Sequence, residues 1–295
     1  MKNRLMALVG PILLAFLAAQ AAAGTRVVRS VEHDGLTRRY IAHVPEQASD
    51  PLSVIFALHP GYGTGRGFER QLALHEDPAA KDYVIVYPTG IQRSWNSGYC
   101  CGKAFANQVD DVGFIMAILA QIGQDLPLSQ DRHFATGFSN GAMLAQRLAC
   151  EKNTVFAGFV AMGGNRDYRD GCDVARPVSG LFLHGLLDAY SPIEGGQGKL
   201  KRPGVRPSLY SNVDFWVAQN HCQASSSTTR LGAVPCTRHS SCDQDSIVEL
   251  CLIKDLGHWM PGQTATSDRQ RDALGPDRPD LDARSEIFRF FATLP

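Results

Sequence analysis

Beyond its first two dozen residues the chain holds no apolar run long enough to cross a bilayer. It has no Lys/Arg cluster, and its 29 basic and 29 acidic residues cancel. Nothing electrostatic therefore points to nucleic acid or to an anionic membrane surface. No C-x-x-C pair occurs, and two of the cysteines are adjacent, which argues against structural zinc. No internal repeat and no Ser/Thr/Pro-rich linker interrupts the chain, so a single domain is expected over residues 24–295, with no room for a separate binding module.

What is present begins with a leader. Lys2 and Arg4 precede an apolar run from Leu5 to Leu17, and Ala19-Gln20-Ala21 or Ala21-Ala22-Ala23 offers a small-residue cleavage site. This is the pattern of a secretory signal peptide over residues 1–23, too short in its apolar core to span a membrane comfortably. No cysteine follows the cleavage site to take a lipid, and the exported chain is slightly acidic once Lys2 and Arg4 are removed. The expected location is extracellular or periplasmic. All eight cysteines follow the leader, and an even number in an exported chain reads as disulfides. Adjacent Cys100 and Cys101 are poorly placed to bridge each other. They are expected to reach Cys150 and Cys172, while Cys222, Cys236, Cys242 and Cys251 pair among themselves in an order the sequence leaves open.

Val27 to Val31 and Arg38 to Val44, around His33-Asp34-Gly35, predict an opening hairpin. Short continuous apolar runs at Val54–Leu58, Tyr83–Tyr87, Phe156–Met162, Val178–Leu183 and Ile247–Ile253 predict buried parallel strands. Val112, Ile115, Ile118 and Ile122 recur at helical spacing behind Asp110-Asp111, and Ile287 to Phe291 marks a closing helix. Gln263 to Pro279 reads as a surface loop. The alternation predicts an α/β doubly wound, mostly parallel sheet.

The pentapeptide Gly137-Phe138-Ser139-Asn140-Gly141 lies between the strand-like His133–Thr136 and the helix-like Ala142–Ala149. That context makes it a nucleophile elbow, a tight strand-to-helix turn that lifts a serine hydroxyl clear of its neighbours. Ser139 is the candidate nucleophile. In this arrangement an acid and then a histidine follow on loops after later strands. Asp188 follows the Val178–Leu183 run, and His258 follows the Ile247–Ile253 run. Asp188 would orient His258, which would take and return the Ser139 proton. His184 is the rival base and reads as a packed histidine; His221 and His239 read as surface residues. The oxyanion donors expected are the Asn140 N–H and an N–H from His59-Pro60-Gly61-Tyr62-Gly63, namely Gly61 or Tyr62, since proline has none.

With these residues the chain resembles the secreted α/β-hydrolase esterases grouped as feruloyl esterases, acetylxylan esterases and poly(3-hydroxybutyrate) depolymerases, from about Arg39 to Pro295. The resemblance rests on Leu58 to Gly63, Trp95-Asn96 with Cys100-Cys101-Gly102, Asp110 to Phe114, the elbow, His184-Gly185 with Asp188, and Gly257-His258. It departs at Pro60, at Ser191 before Pro192, and at Trp259 directly after His258. The resemblance implies a serine esterase with Ser139, Asp188 and His258 as its triad and no cofactor or metal. The expected partner is a small or oligomeric ester, the expected state a monomer. Trp95 and Trp259, with Tyr99, could stack on an aromatic acid or a sugar. An aryl or acetyl ester of plant polysaccharide ranks ahead of a hydroxybutyrate oligomer. A catalytically silent binding protein on the same fold is an alternative from another class, and a serine peptidase a third reading.

Overall fold

A computed structural model describes residues 24–46, 51–100, 102–166, 172, 174–200 and 205–294. The expected signal peptide lies outside them. Strands β1 (Thr25–His33) and β2 (Leu36–Val44) pair antiparallel across Asp34-Gly35 as the sequence predicts. They form one edge of a ten-stranded sheet. The other strands are β3 (Leu52–Leu58), β4 (Tyr83–Pro88), β5 (Leu128–Phe138), β6 (Phe156–Met162), β7 (Ser179–Gly185), β8 (Ser227–Leu231), β9 (Val234–His239) and β10 (Val248–Ile253). Their order is β1-β2-β4-β3-β5-β6-β7-β10-β9-β8, with the six from β4 to β10 parallel.

The parallel strands are apolar on both faces because both faces are covered. Val54, Phe56 and Leu58 of β3 join one core cluster, whereas Ile55 and Ala57 join the other. The first cluster is closed by α3 (Asp111–Asp125), α4 (Asn140–Glu151) and α5 (Leu209–Gln219); the second by α1 (Gly65–Leu72) and α7 (Ala283–Ala292). Short helices α2 (Gly102–Ala106) and α6 (Asp268–Leu274) lie on connections. No helix among the described residues is long and apolar enough to cross a membrane.

Two expectations are corrected, and one hairpin was not foreseen. The β8–β9 hairpin was not legible because its strands are short, polar and half-exposed, with apolar anchoring at Leu231, Val234 and Cys236. The Gln263–Pro279 stretch carries helix α6, capped by the Ser267 hydroxyl, which accepts from the Gln270 N–H. Cys150 bridges Cys172, so neither reaches back to Cys100 or Cys101. The later four do pair among themselves, as Cys222–Cys242 and Cys236–Cys251; the second joins directly opposed residues of β9 and β10. Cys100 is itself in a disulfide, and Cys101 lies outside the described residues.

Candidate active site

β5 ends at Phe138 and α4 begins at Asn140, so the whole turn between them is Ser139. Its backbone sits at φ +53°, ψ −118°, a conformation that costs a non-glycine residue on the order of 1–3 kcal/mol and persists only when its surroundings enforce it. They do: the Ser139 N–H donates to the Met162 carbonyl at 2.8 Å. Glycine is required on both sides by close approach. A β-carbon on Gly137 would meet the Gly141 carbonyl carbon at 2.5 Å, and one on Gly141 would meet the Leu58 oxygen at 2.0 Å.

Asp188 lies on the loop after β7 and His258 on the loop after β10, at the same carboxyl edge as Ser139. The structure brings the three together. His258 Nδ1 is 2.7 Å from Asp188 Oδ2, and His258 Nε2 is 2.9 Å from Ser139 Oγ. A carboxylate only accepts, so the Nδ1 carries hydrogen and Nε2 is left to accept from the serine hydroxyl. The second Asp188 oxygen accepts from the Tyr190 and Ser191 N–H groups at 2.9 and 2.7 Å. Burial by itself would raise the Asp188 carboxyl, but the charge and hydrogen bond of His258, with help from His184 and the Ser191 N–H, hold it below the ordinary aspartate value. The ring of His258 touches Tyr190, stacked at 5.0 Å, and Phe138 at 4.9 Å.

His184 is fully buried, and desolvation lowers its pKa. It donates Nε2–H to the Ser191 carbonyl at 2.7 Å and stands 3.7 Å from Asp188, so it braces the acid loop and does not reach the serine. His221 is exposed and His239 half-buried, as expected for residues away from the site.

The loop after β3 is a tight turn. The Pro60 carbonyl accepts from Gly63 N–H at 2.9 Å and from His59 Nδ1–H at 2.8 Å. Tyr62 has φ +64°, and its N–H is donated to the Arg93 carbonyl at 2.7 Å. That bond takes Tyr62 out of the pair of candidate donors and leaves Gly61, where an added β-carbon would lie 3.9 Å from the Asn140 β-carbon. The Asn140 side chain accepts from the Trp95 N–H and donates to the Trp95 carbonyl, while Trp95 Nε1–H donates to the His59 carbonyl at 2.8 Å.

This overturns the stacking role expected of the tryptophans. Trp95 is 0% exposed, and Trp259 is 7% exposed with its Nε1–H on the Gly275 carbonyl at 2.8 Å. Both are framework. Asn96 continues the frame: its N–H donates to Asp111, which also takes the fully buried Arg38 guanidinium at 2.6 Å. The exposed ring at this end is Tyr62, 75% exposed, with Leu186 and Leu187 exposed on the acid loop. Sequence reading missed Tyr190 and Ser191. The aspartate-led turn Asp188-Ala189-Tyr190-Ser191 was the available signal, since Asp side chains commonly accept from N–H groups two or three residues on.

The His258 loop rests on a segment taken from sequence for plain loop. His258 N–H donates to the Leu274 carbonyl at 2.6 Å, Gly257 N–H to the Pro276 carbonyl at 2.7 Å, and a β-carbon on Gly257 would meet the Leu274 oxygen at 2.1 Å. The end of α6 is therefore the seat of the histidine.

No family profile matches the chain. Among characterised proteins it is similar to feruloyl esterase C of Emericella nidulans, 30% identical over 168 residues, which is 54% of this chain and 58% of that protein. It is similar to feruloyl esterase D of Neurospora crassa, 26% identical over 220 residues, covering 68% of this chain and 66% of the other. The chain thus spans 58% of the length of the feruloyl esterase C proteins of Emericella nidulans and Aspergillus niger. Among solved structures it superposes on an acetyl xylan esterase from Aspergillus awamori with a TM-score of 0.59 at 14% identity, over 83% of this chain and 98% of that one. A thermostable esterase gives a TM-score of 0.56 at 11% identity, over 91% of this chain and 62% of that one. The fold is that of the α/β-hydrolases, and in sequence the chain is similar to feruloyl esterases over part of their length.

Proposed function

We propose that this chain, a relative of the feruloyl esterases on an α/β-hydrolase fold, hydrolyses carboxylic esters through an acyl-enzyme on Ser139. The observation that carries the reading is the continuous line Asp188 Oδ2–His258 Nδ1 at 2.7 Å and His258 Nε2–Ser139 Oγ at 2.9 Å. In the first half-reaction Ser139 Oγ attacks the ester carbonyl as its proton passes to His258 Nε2. The imidazolium gains the Asp188 charge across a buried hydrogen bond, and Asp188 itself keeps no proton. The tetrahedral oxyanion is taken by the N–H groups of Asn140 and Gly61, at the amino end of α4, where the helix dipole also favours negative charge. His258 gives its proton to the departing alcohol oxygen. Water then repeats the sequence on the acyl-enzyme, and Ser139 is restored.

The substrate class we favour is a feruloyl or related aryl or acetyl ester of plant polysaccharide, as in the names of the relatives. With both tryptophans enclosed, the acyl ring is assigned to Tyr62 and the Leu186-Leu187 side chains, which are exposed on the loops after β3 and β7. The three bridges Cys150–Cys172, Cys222–Cys242 and Cys236–Cys251 support an exported protein, in keeping with the leader at Lys2 to Ala23. Residues 24–295 are read as one catalytic domain.

The test is a panel of methyl ferulate, p-nitrophenyl acetate and hydroxybutyrate oligomers, run beside labelling with a fluorophosphonate. Turnover of methyl ferulate, with the label on Ser139, is the expected result. Absence of labelling in a folded protein would remove the serine-esterase reading. Rapid clearing of solid poly(3-hydroxybutyrate) without turnover of methyl ferulate would keep the triad and change the substrate.

A further inference from the structure

A groove of about 870 Å³ that shares no residue with the triad lies between helix α1 and the edge hairpin. Cross-strand register sets Val28 opposite Ile41 and Ser30 opposite Arg39, so these side chains share one face of the hairpin. The same face carries Arg26 and His43, which hold Glu69 of α1. Val28 and Ile41 give the groove an apolar floor.

Its walls are strongly cationic. Arg66 and Arg70 stand one turn apart on α1, and Arg39 faces them from β2. All three are exposed, and none makes a side-chain hydrogen bond or ion pair among the described residues. The acids in the groove are already matched: Glu69 is gripped by Arg26 and His43, and Glu76 pairs with Arg284. Three guanidinium groups are thus left uncompensated on one concave surface. The charges come from two elements distant in sequence, which is why no basic cluster was visible in the chain itself.

We propose that this groove binds a carboxylate-bearing sugar chain, a polyuronate. The reading rests on the esterase proposal for its purpose, since it would extend that site toward acidic polysaccharide. Guanidinium groups match planar carboxylates in a two-point fork, and separate cations along a trough suit a charge repeated once per sugar more than one compact phosphate. The apolar floor suits the C–H face of a sugar ring. Thr64 and Thr89 are also among the lining residues. Thr64 caps α1 directly after Gly63, so the groove lining adjoins the 59–63 loop in sequence.

Calorimetric titration of the full chain with oligogalacturonate, neutral xylo-oligosaccharide and a single-stranded oligonucleotide tests the proposal. Oligogalacturonate is expected to bind, with affinity falling steeply as salt rises, and the neutral sugar to bind much more weakly. Combining Arg39→Gln, Arg66→Gln and Arg70→Gln should weaken oligogalacturonate by about tenfold or more, while hydrolysis of p-nitrophenyl acetate stays unchanged and reports an intact fold. No binding of oligogalacturonate, equal binding of the neutral sugar, an unchanged affinity in the triple variant, or tighter binding of the oligonucleotide would each overturn it. Loss of p-nitrophenyl acetate turnover in the unaltered chain would instead strike the esterase reading, and the titration would still decide the groove.

Discussion

Asn140 and Trp95 exchange two hydrogen bonds: the Trp95 N–H donates to Asn140 Oδ1 at 2.7 Å, and Asn140 Nδ2 donates to the Trp95 carbonyl at 3.0 Å. Asn140, which follows Ser139, is thereby fixed by its side chain, and its backbone N–H is set by the start of α4. Trp95 in turn holds the His59 carbonyl, so three separate segments are tied at the point where the oxyanion is proposed to form.

Asn140→Ala should uncouple that tie. It strands a buried Trp95 N–H and carbonyl, each costing about 1–3 kcal/mol when unsatisfied. The expected outcome is a clear drop in melting temperature and a fall in kcat larger than any rise in KM. Unchanged kcat in the folded variant would separate the clamp from catalysis.

Ser139→Ala should reduce turnover by about 10⁴- to 10⁶-fold with little loss of stability. His258→Ala and Asp188→Asn should also cripple turnover, and adding either to Ser139→Ala should change little, because residues that act as a unit are not additive. His184→Ala is expected to destabilise and to lower activity less than His258→Ala. A stable His184→Ala variant as inactive as His258→Ala would mean that the base was assigned to the wrong histidine.

Trp259→Phe should leave the preference for methyl ferulate over p-nitrophenyl acetate nearly unchanged, since the ring is enclosed and its Nε1–H serves the Gly275 carbonyl. Tyr62→Ala should lower that preference, by roughly two- to tenfold if one ring pair is lost. The ratio of the two kcat/KM values is the measurement, and the opposite ranking would return the stacking role to Trp259.

Stability should fall with acid between pH 6.5 and about 4. Burial lowers both His59 and His133 from the usual 6.5 to about 4. The His59 ring must stay neutral to accept from the Gly90 N–H through Nε2 while donating through Nδ1. The unfolded chain therefore binds more protons in that window, so stability rises with pH and is lost as pH falls through it. Melting temperature against pH should show this slope, and His59→Asn should flatten it. A flat profile for the unaltered chain would exclude this coupling.

Mass mapping of the non-reduced protein should recover Cys150–Cys172, Cys222–Cys242 and Cys236–Cys251. These close spans of 22, 20 and 15 residues, for which loop-closure entropy suggests about 3 kcal/mol each. Different partners, or stoichiometric zinc, would contradict the bridges.

The parallel core was legible because doubly buried strands must be apolar throughout, and the five runs from Val54 to Ile253 stand out for that reason. Ser139 was legible because only a Gly-flanked turn tolerates its backbone. Asp188 and His258 could be placed by their order after later strands. What could not be read was set by tertiary approach. The exposure of Trp95 and Trp259 depends on carbonyls at positions 59 and 275 that the sequence does not bring near. The engagement of the Tyr62 N–H depends on Arg93, from a different loop. Helix α6 did carry a local sign, Ser267 three residues before Gln270, but its polar composition resembles that of a loop.

The backbone of Gly257 lies against that of Gly275, with a β-carbon on Gly257 only 2.7 Å from the Gly275 α-carbon. His258, the proposed base, is thus held from behind by the 274–276 backbone. An alanine at Gly257 would displace His258 in a molecule whose sheet, disulfides and nucleophile stay in place. In a blind screen for lost activity the 274–276 segment would therefore score like an active-site loop, although its contribution is purely one of alignment.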